Sequence, residues 1–224
     1  MVHNHSNLVN INTNLINEIK NSDITALNIF PNTIFFGNIN VDNDKIVSEC
    51  YKLKTIEPIG KPRSNRNGWQ SDRYSSNSNL IYKQFSEFNN LELKCLEFVN
   101  SAMTKNGYTL KFLNNGCSWW VNINQEFSYN VIHCHPKCEW VAVYYPKIES
   151  KDQGELTFVR TDGSNHNVIY DNTVYEYMQN YYVCPIVQGK LYVFPSHLLH
   201  YVTPNLTKND RICISFNFSF QNNC

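Results

Sequence analysis

From about Thr109 onward the chain is a series of short runs rich in β-branched and aromatic residues, cut apart by turn-forming residues. The runs read CSWWVNINQ, YNVIHCH, EWVAVYYP, GELTFVR, NVIYD, YYVCPIV, GKLYVFP and RICISFNFSF. About eight strands joined by short connections predict a mainly β fold, a double-stranded β-helix or jelly roll, rather than a parallel sheet. In EWVAVYYP, alternation separates Trp140, Ala142 and Tyr144 from Val141, Val143 and Tyr145. In RICISFNFSF, it places Arg211, Cys213, Ser215, Asn217 and Ser219 on one face. A row of hydrogen-bonding groups on an inward face points to a ligand. A sandwich of this kind leaves an open mouth between its sheets where one can bind.

The preceding residues lean helical. FNNLELKCLEFVNSAMTKNG sets Phe88, Leu91, Cys95, Phe98, Val99 and Ala102 at helical spacing, with Asn90 as an N-cap and Gly107 as the stop. A shorter helix is expected over residues 41–51, after a strand at 33–36 and before a polar loop, KPRSNRNGWQSD. That loop is too rich in Arg, Asn and Gly to be core; Trp69 and Gln70 within it would suit a substrate lid. With 42% hydrophobic residues, the 224-residue chain can bury one good core. A single domain over 1–224 is therefore expected, with an N-terminal extension (1–27), a helical support (28–107) and a jelly-roll core (108–224).

Nineteen Lys and Arg against nineteen Asp and Glu give no field that would draw nucleic acid or an anionic membrane. The first twenty residues are polar where a signal peptide is apolar, and no run reaches the length of a spanning helix. The expectation is a soluble, cytoplasmic protein, with both monomer and homodimer open. The eight cysteines show no CxxC and no regular framework, so they read mostly as reduced core thiols.

NVIHCHPKCEW, residues 130–140, gathers His133, Cys134, His135 and Cys138. On a strand, positions i and i+2 share a face, so His133 and His135 converge while Cys134 turns away. Two hydrogen-bonded histidines at a strand end are the plainer alternative. A second arm lies in GKLYVFPSHLLHYVTPN, where a strand and a Pro corner lead to His200. Three histidines from two strands would form a facial cap on one ion, with further coordination positions open. His197 would project differently, and His3, His5 and His166 lie in polar stretches without an assigned role. Arg211 follows on an otherwise apolar strand; buried there, it needs a carboxylate, from this chain or from a ligand.

These segments together resemble the iron(II)- and 2-oxoglutarate-dependent oxygenases, more narrowly the 2-oxoglutarate-Fe(II) oxygenase family of the marine bacterial and phage type. The resemblance rests on SNRNGWQS (64–71), NVIHCHP (130–136), WVAVYY (140–145), FPSHLLHYVTPN (194–205) and RICISFN (211–217), in that order over residues 28–220. It implies Fe(II) held by His133, His135 and His200, and Arg211 on the far carboxylate of the cosubstrate 2-oxoglutarate. His135 stands where most of the superfamily has Asp or Glu, and Cys213 where a Ser is expected, with Ser215 a substitute on the same face. The family's WSG becomes Trp140, Val141 and Ala142, and its DPR after GELTF becomes Val159 and Arg160.

The chemistry implied is decarboxylation of 2-oxoglutarate to succinate and CO2, coupled to oxidation, by default hydroxylation, of a small-molecule or peptide substrate. Tyr129, Asn130, Asn122 and Asn124 are further candidates to touch cosubstrate or substrate. Three alternatives remain: a zinc site using Cys134 and Cys138 with the flanking histidines; a cupin-like three-His iron dioxygenase without 2-oxoglutarate, in which Arg211 would be idle; and a jelly roll that binds without catalysis.

Overall fold

The computed structural model describes residues 32–75, 84–105, 112–161 and 180–220, with only the backbone of 112–115. They belong, apart from Asn32, to a compact unit spanning Thr33–Cys224. The expected N-terminal extension, the NVIYD run, Gly107, His3, His5 and His166 lie outside the described residues.

Among the described residues, eleven strands form two antiparallel sheets. They are β1 (Phe35–Asn38), β2 (Asn65–Arg66), β3 (Trp69–Gln70), β4 (Phe112–Asn124), β5 (Tyr129–His133), β6 (Trp140–Lys147), β7 (Leu156–Val159), β8 (Tyr181–Cys184), β9 (Lys190–Pro195), β10 (His200–Val202) and β11 (Arg211–Phe220). The larger sheet runs β1-β9-β6-β11-β4-β3 and the smaller β2-β5-β10-β7-β8. The double-sheet jelly-roll core expected from the strand spacing is therefore present, with two helices, α1 (Asn43–Ile56) and α2 (Ser86–Lys105), beside the larger sheet.

The larger sheet is buried on both faces, and alternation assigns its side chains. Ile212, Ile214, Phe216 and Phe218 of β11 join Trp119, Val121 and Ile123 of β4, and Ala142 and Tyr144 of β6, in a cluster with the helices. The helices contribute Ile46, Cys50 and Leu53, and Phe88, Leu91, Cys95, Val99 and Met103. On the other face, Val141, Val143, Tyr145, Leu156, Phe158, Phe194 and Cys213 form a second cluster. Between the sheets the polar positions of β11 sit next to this second cluster. Five described cysteines are buried and seven are free thiols.

α2 starts five residues earlier than its sequence suggests, so Asn90 is an interior residue rather than the N-cap. Burying Phe88 and Leu91 is worth about 1.5–3 kcal/mol each, more than the roughly 0.5–0.7 kcal/mol an interior Asn costs. The cap comes from α1: the Glu49 carboxylate accepts from the backbone N–H of Glu87 at 3.2 Å and of Phe88 at 3.0 Å. α1 itself is capped locally, by Asp42 accepting from the Lys45 N–H, and runs five residues beyond its expected end. Because Glu49 ties the helices together, Glu49→Ala is expected to lower the unfolding free energy by about 1–2 kcal/mol in urea titrations, with Glu49→Gln retaining part of it.

Candidate metal centre

The sheets enclose a cavity of about 680 Å³, and His133, His135 and His200 line it. His133 ends β5 and His200 begins β10, directly opposite each other in the smaller sheet. Their ring centroids are 4.3 Å apart. His135 lies just past β5, its backbone N–H donating to the Ser196 carbonyl, and its ring is 5.2 Å from His133 and 5.1 Å from His200. One ligand atom from each histidine lies within 4.8 Å of the others, the one such grouping of His, Cys, Asp or Glu among the described residues.

The hydrogen bonds also fix which nitrogen faces the cavity. Nδ1 of His133 meets the Val131 carbonyl at 2.7 Å, and Nδ1 of His200 meets the Leu198 carbonyl at 2.8 Å. For His135 the partner is Oδ1 of Asn217, at 2.7 Å, reaching across from β11. Each partner is an oxygen that only accepts, so each Nδ1 carries the proton and each Nε2 keeps its lone pair. Three imidazoles in that tautomer, pinned by outer hydrogen bonds, are the arrangement a metal requires.

Burial reinforces it. His200 packs edge-on to Phe194 at 4.9 Å and is 2% exposed. Desolvation, with the neighbouring imidazoles adding to it, pushes His200 down to about 3 and His135 to about 4, and burial lowers His133 as well. All three are therefore neutral near pH 7, the form that binds metal. Cys134 is exposed, and the Cys138 thiol donates to the His135 carbonyl at 3.3 Å, so neither joins the cluster and the zinc alternative has no ligand set.

Arg211 is the charged counterpart. It is 1% exposed, and Nη1 donates to the carbonyls of Gln153 and Thr203. No ion pair joins it to a carboxylate among the described residues, and its buried Nη2 has no partner. A guanidinium stays charged even where burial opposes it. This one is therefore suited to meet an anion that the described residues do not supply. Arg211 is not on the cavity lining, but Cys213, Ser215 and Asn217, its neighbours along the same face of β11, are. That set of residues fits an iron(II) ion with a dicarboxylate cosubstrate: neutral nitrogen donors for the first and an unpaired buried cation for the second.

The other sequence candidates divide. Asn122 and Asn130 line the cavity, and Asn122 Oδ1 is buried without a partner. Tyr129 is off the lining. Strict alternation back from His133 would have placed Tyr129 on that face and Asn130 away from it. A bulge in the β5–β10 register, where His200 and Val202 face His133 and Asn130, reverses the parity. Asn124 is buried, donating to Asn130 Oδ1 at 3.3 Å, and is likewise not on the lining.

Residues 61–73 depart in part from the expected solvated loop. Asn65 pairs with Asn130 in the smaller sheet, and Gln70 with Asn122 in the larger one. Asn65, Trp69, Gln70 and Ser71 are buried. Trp69 belongs to the helix-side core and donates its indole N–H to the Glu57 carbonyl, whereas Gln70 lines the cavity. The segment is a wall shared by both sheets. Sequence reasoning missed Asn217 as the partner of His135, and Trp120, whose ring lies 5.5 Å from that of His135. The polar face of β11 was the one available signal for Asn217.

Two outcomes follow from these contacts. The histidines are protonated more readily in the unfolded chain, near pH 6.5, than in the fold, so their neutral state contributes stability above that pH which is lost as pH falls toward 4. Chemical denaturation of the metal-free protein between about pH 7 and pH 4 should show that decline. Gly154 has φ +101°, and a Cβ there would collide with Arg211 Nη1 and the Thr203 carbonyl. Gly154→Ala should therefore destabilise by about 1–3 kcal/mol, read as a lower midpoint in the same titration.

Residues 118–217 match the sequence profile described as "Putative 2OG-Fe(II) oxygenase". No curated protein matches the chain. Among solved structures, similarity extends to a Pseudomonas putida prolyl-4-hydroxylase, at 15% identity and TM-score 0.54, covering 85% of this chain and 94% of that one. A Trichoplax adhaerens prolyl hydroxylase in complex with a hypoxia inducible factor peptide is 11% identical with TM-score 0.57, covering 91% and 86%. HygX from Streptomyces hygroscopicus, with nickel and 2-oxoglutarate bound, is 12% identical with TM-score 0.51, covering 84% and 83%. At these identities the structures establish a common fold. The profile match contains all three histidines and Arg211, so the metal and cosubstrate candidates lie within the stretch, residues 118–217, that is similar to the 2OG-Fe(II) oxygenase family.

Proposed function

We propose that the protein, as a single oxygenase domain, converts 2-oxoglutarate and O2 to succinate and CO2 while inserting the second oxygen atom into a C–H bond of a small-molecule or peptide substrate. The observation that carries this reading is the pairing of three neutral, outward-pinned imidazoles with a buried Arg211 whose Nη2 has no partner. His133, His135 and His200 would hold the iron, which supplies the site for oxygen and the keto acid. Arg211 would grip the far carboxylate of 2-oxoglutarate, and its two backbone acceptors, Gln153 and Thr203, set the guanidinium's orientation for that contact.

Ser215 and Asn122 offer a hydroxyl and an amide on the lining between Arg211's strand and β4, suited to the cosubstrate's remaining oxygens. Asn130, held by the Ser64 hydroxyl at 3.2 Å, extends that polar wall on the opposite sheet. Tyr129, off the lining, would support Asn130's strand rather than touch cosubstrate. The apolar surroundings of His200, Phe194 and Phe158, keep water from that side of the cluster. A cofactor-free binding role or a cosubstrate-free dioxygenase would leave Arg211 buried with no anion to meet.

Under anaerobic conditions, Fe(II) and 2-oxoglutarate added together should give the visible charge-transfer band of a chelated keto acid. His200→Ala should abolish it, and Arg211→Ala should weaken 2-oxoglutarate binding about 30-fold or more, the scale of losing one partner of a buried charge pair. No band from the unsubstituted chain, or an undiminished one from both variants, would overturn the reading.

A further inference from the structure

The cavity mouth carries a charge pattern that metal and cosubstrate binding do not account for. Its charged lining residues are Lys61, Arg63, Arg73, Lys137 and Asp72, four cations and one acid in a chain whose net charge is zero. The acid is already engaged: Asp72 Oδ2 lies 3.5 Å from Lys61 Nζ, and Oδ1 accepts the Arg73 backbone N–H at 2.9 Å. The Arg73 guanidinium has no carboxylate partner among the described residues. It lies over the Trp120 ring, 4.9 Å from the centroid, and that ring is 5.5 Å from the metal candidate His135.

Resting on the oxygenase reading above, we propose that Arg73, backed by Trp120, is the substrate-gripping arm of this cavity and that the substrate carries a carboxylate. The cation–π contact holds the guanidinium over the indole at the mouth, so less freedom is lost when a ligand binds. Its donors suit the two oxygens of a planar carboxylate. Arg211 is assigned above to the cosubstrate, whereas Arg73 is exposed, on the lining and free for a second anion. Neither α1 nor α2 begins on the lining, so the mouth lacks the helix N-terminal N–H groups that many phosphate sites add to their cations. Lys61, Arg63 and Lys137 add a general attraction for anions at the same mouth.

The test uses full-length protein labelled with 5-fluorotryptophan and loaded with Ni(II) and 2-oxoglutarate, its Trp120 resonance assigned through Trp120→Phe. The probes are isosteric twins: N-acetylglycine with N-acetylglycinamide for a small acid, and terminally blocked Gly-Glu-Gly with Gly-Gln-Gly for a peptide side chain, with phenyl phosphate alongside. In at least one pair the carboxylate should shift the Trp120 signal at about tenfold lower concentration than its amide twin; which pair does so tells a small acid from a peptide. Arg73→Gln should erase that preference and Arg73→Lys keep part of it. Equal binding of both twins, a preference that survives Arg73→Gln, or stronger binding of phenyl phosphate would each overturn the proposal. So would loss of the anaerobic iron–2-oxoglutarate band in Arg73→Gln, which would assign the residue to the cosubstrate. A missing band in the unsubstituted chain counts instead against the oxygenase reading itself.

Discussion

Successive side chains leave a strand on opposite sides, and β11 puts different chemistry on each. Ile212, Ile214, Phe216 and Phe218 bind the larger sheet to the helices, while Arg211, Cys213, Ser215 and Asn217 face the space between the sheets. Without the apolar row there would be no central strand. Without the polar row there would be no outer partner for His135 and no buried cation. A one-residue slip in register would exchange the rows, burying an arginine under α1 and α2 and emptying the site. The long pairings of β11 with β4 and β6 are what exclude that slip.

The two kinds of buried titratable group meet the low dielectric in opposite ways. The histidines give up their charge, as the depressed values for His135 and His200 indicate, and become electron-pair donors. Arg211 cannot, so it retains a charge that two backbone carbonyls satisfy only in part. Side by side, these make a site that is poor in negative charge. A carboxylate at the position of His135 would have supplied one; the amide of Asn217 supplies only a dipole.

Much of this was legible from spacing. The strand runs, the shared face of β11, the turning away of Cys134 and the arm carrying His200 all follow from a period of two and the chemistry of the side chains. What escaped depends on contacts far apart in sequence. Asn90 looked like a cap because the real one, Glu49, lies on another helix. Tyr129 and Asn130 could not be told apart because a bulge, which no local pattern announces, reverses their parity. SNRNGWQS read as solvent-facing by composition, and Arg66 and Asn67 are exposed, yet others of its polar side chains are satisfied inside: Asn65 donates to the Gly68 carbonyl, and the Ser71 hydroxyl accepts from the Val121 N–H.

That same short segment joins the two sheets beside the metal candidates. It leaves β2 in one sheet, turns through Asn67 and Gly68, and enters β3 in the other. The turn is tight: Asn67 has φ 58°, and a side chain on Gly68 would run into Asn124. Spacing between the sheets at this end is thus set by covalent backbone length, as a rivet sets the gap between two plates. At this end of the sandwich the chamber wall is therefore held by chain connectivity as well as by packing, so it is tied to the turn at Asn67 and Gly68 and not to the core alone.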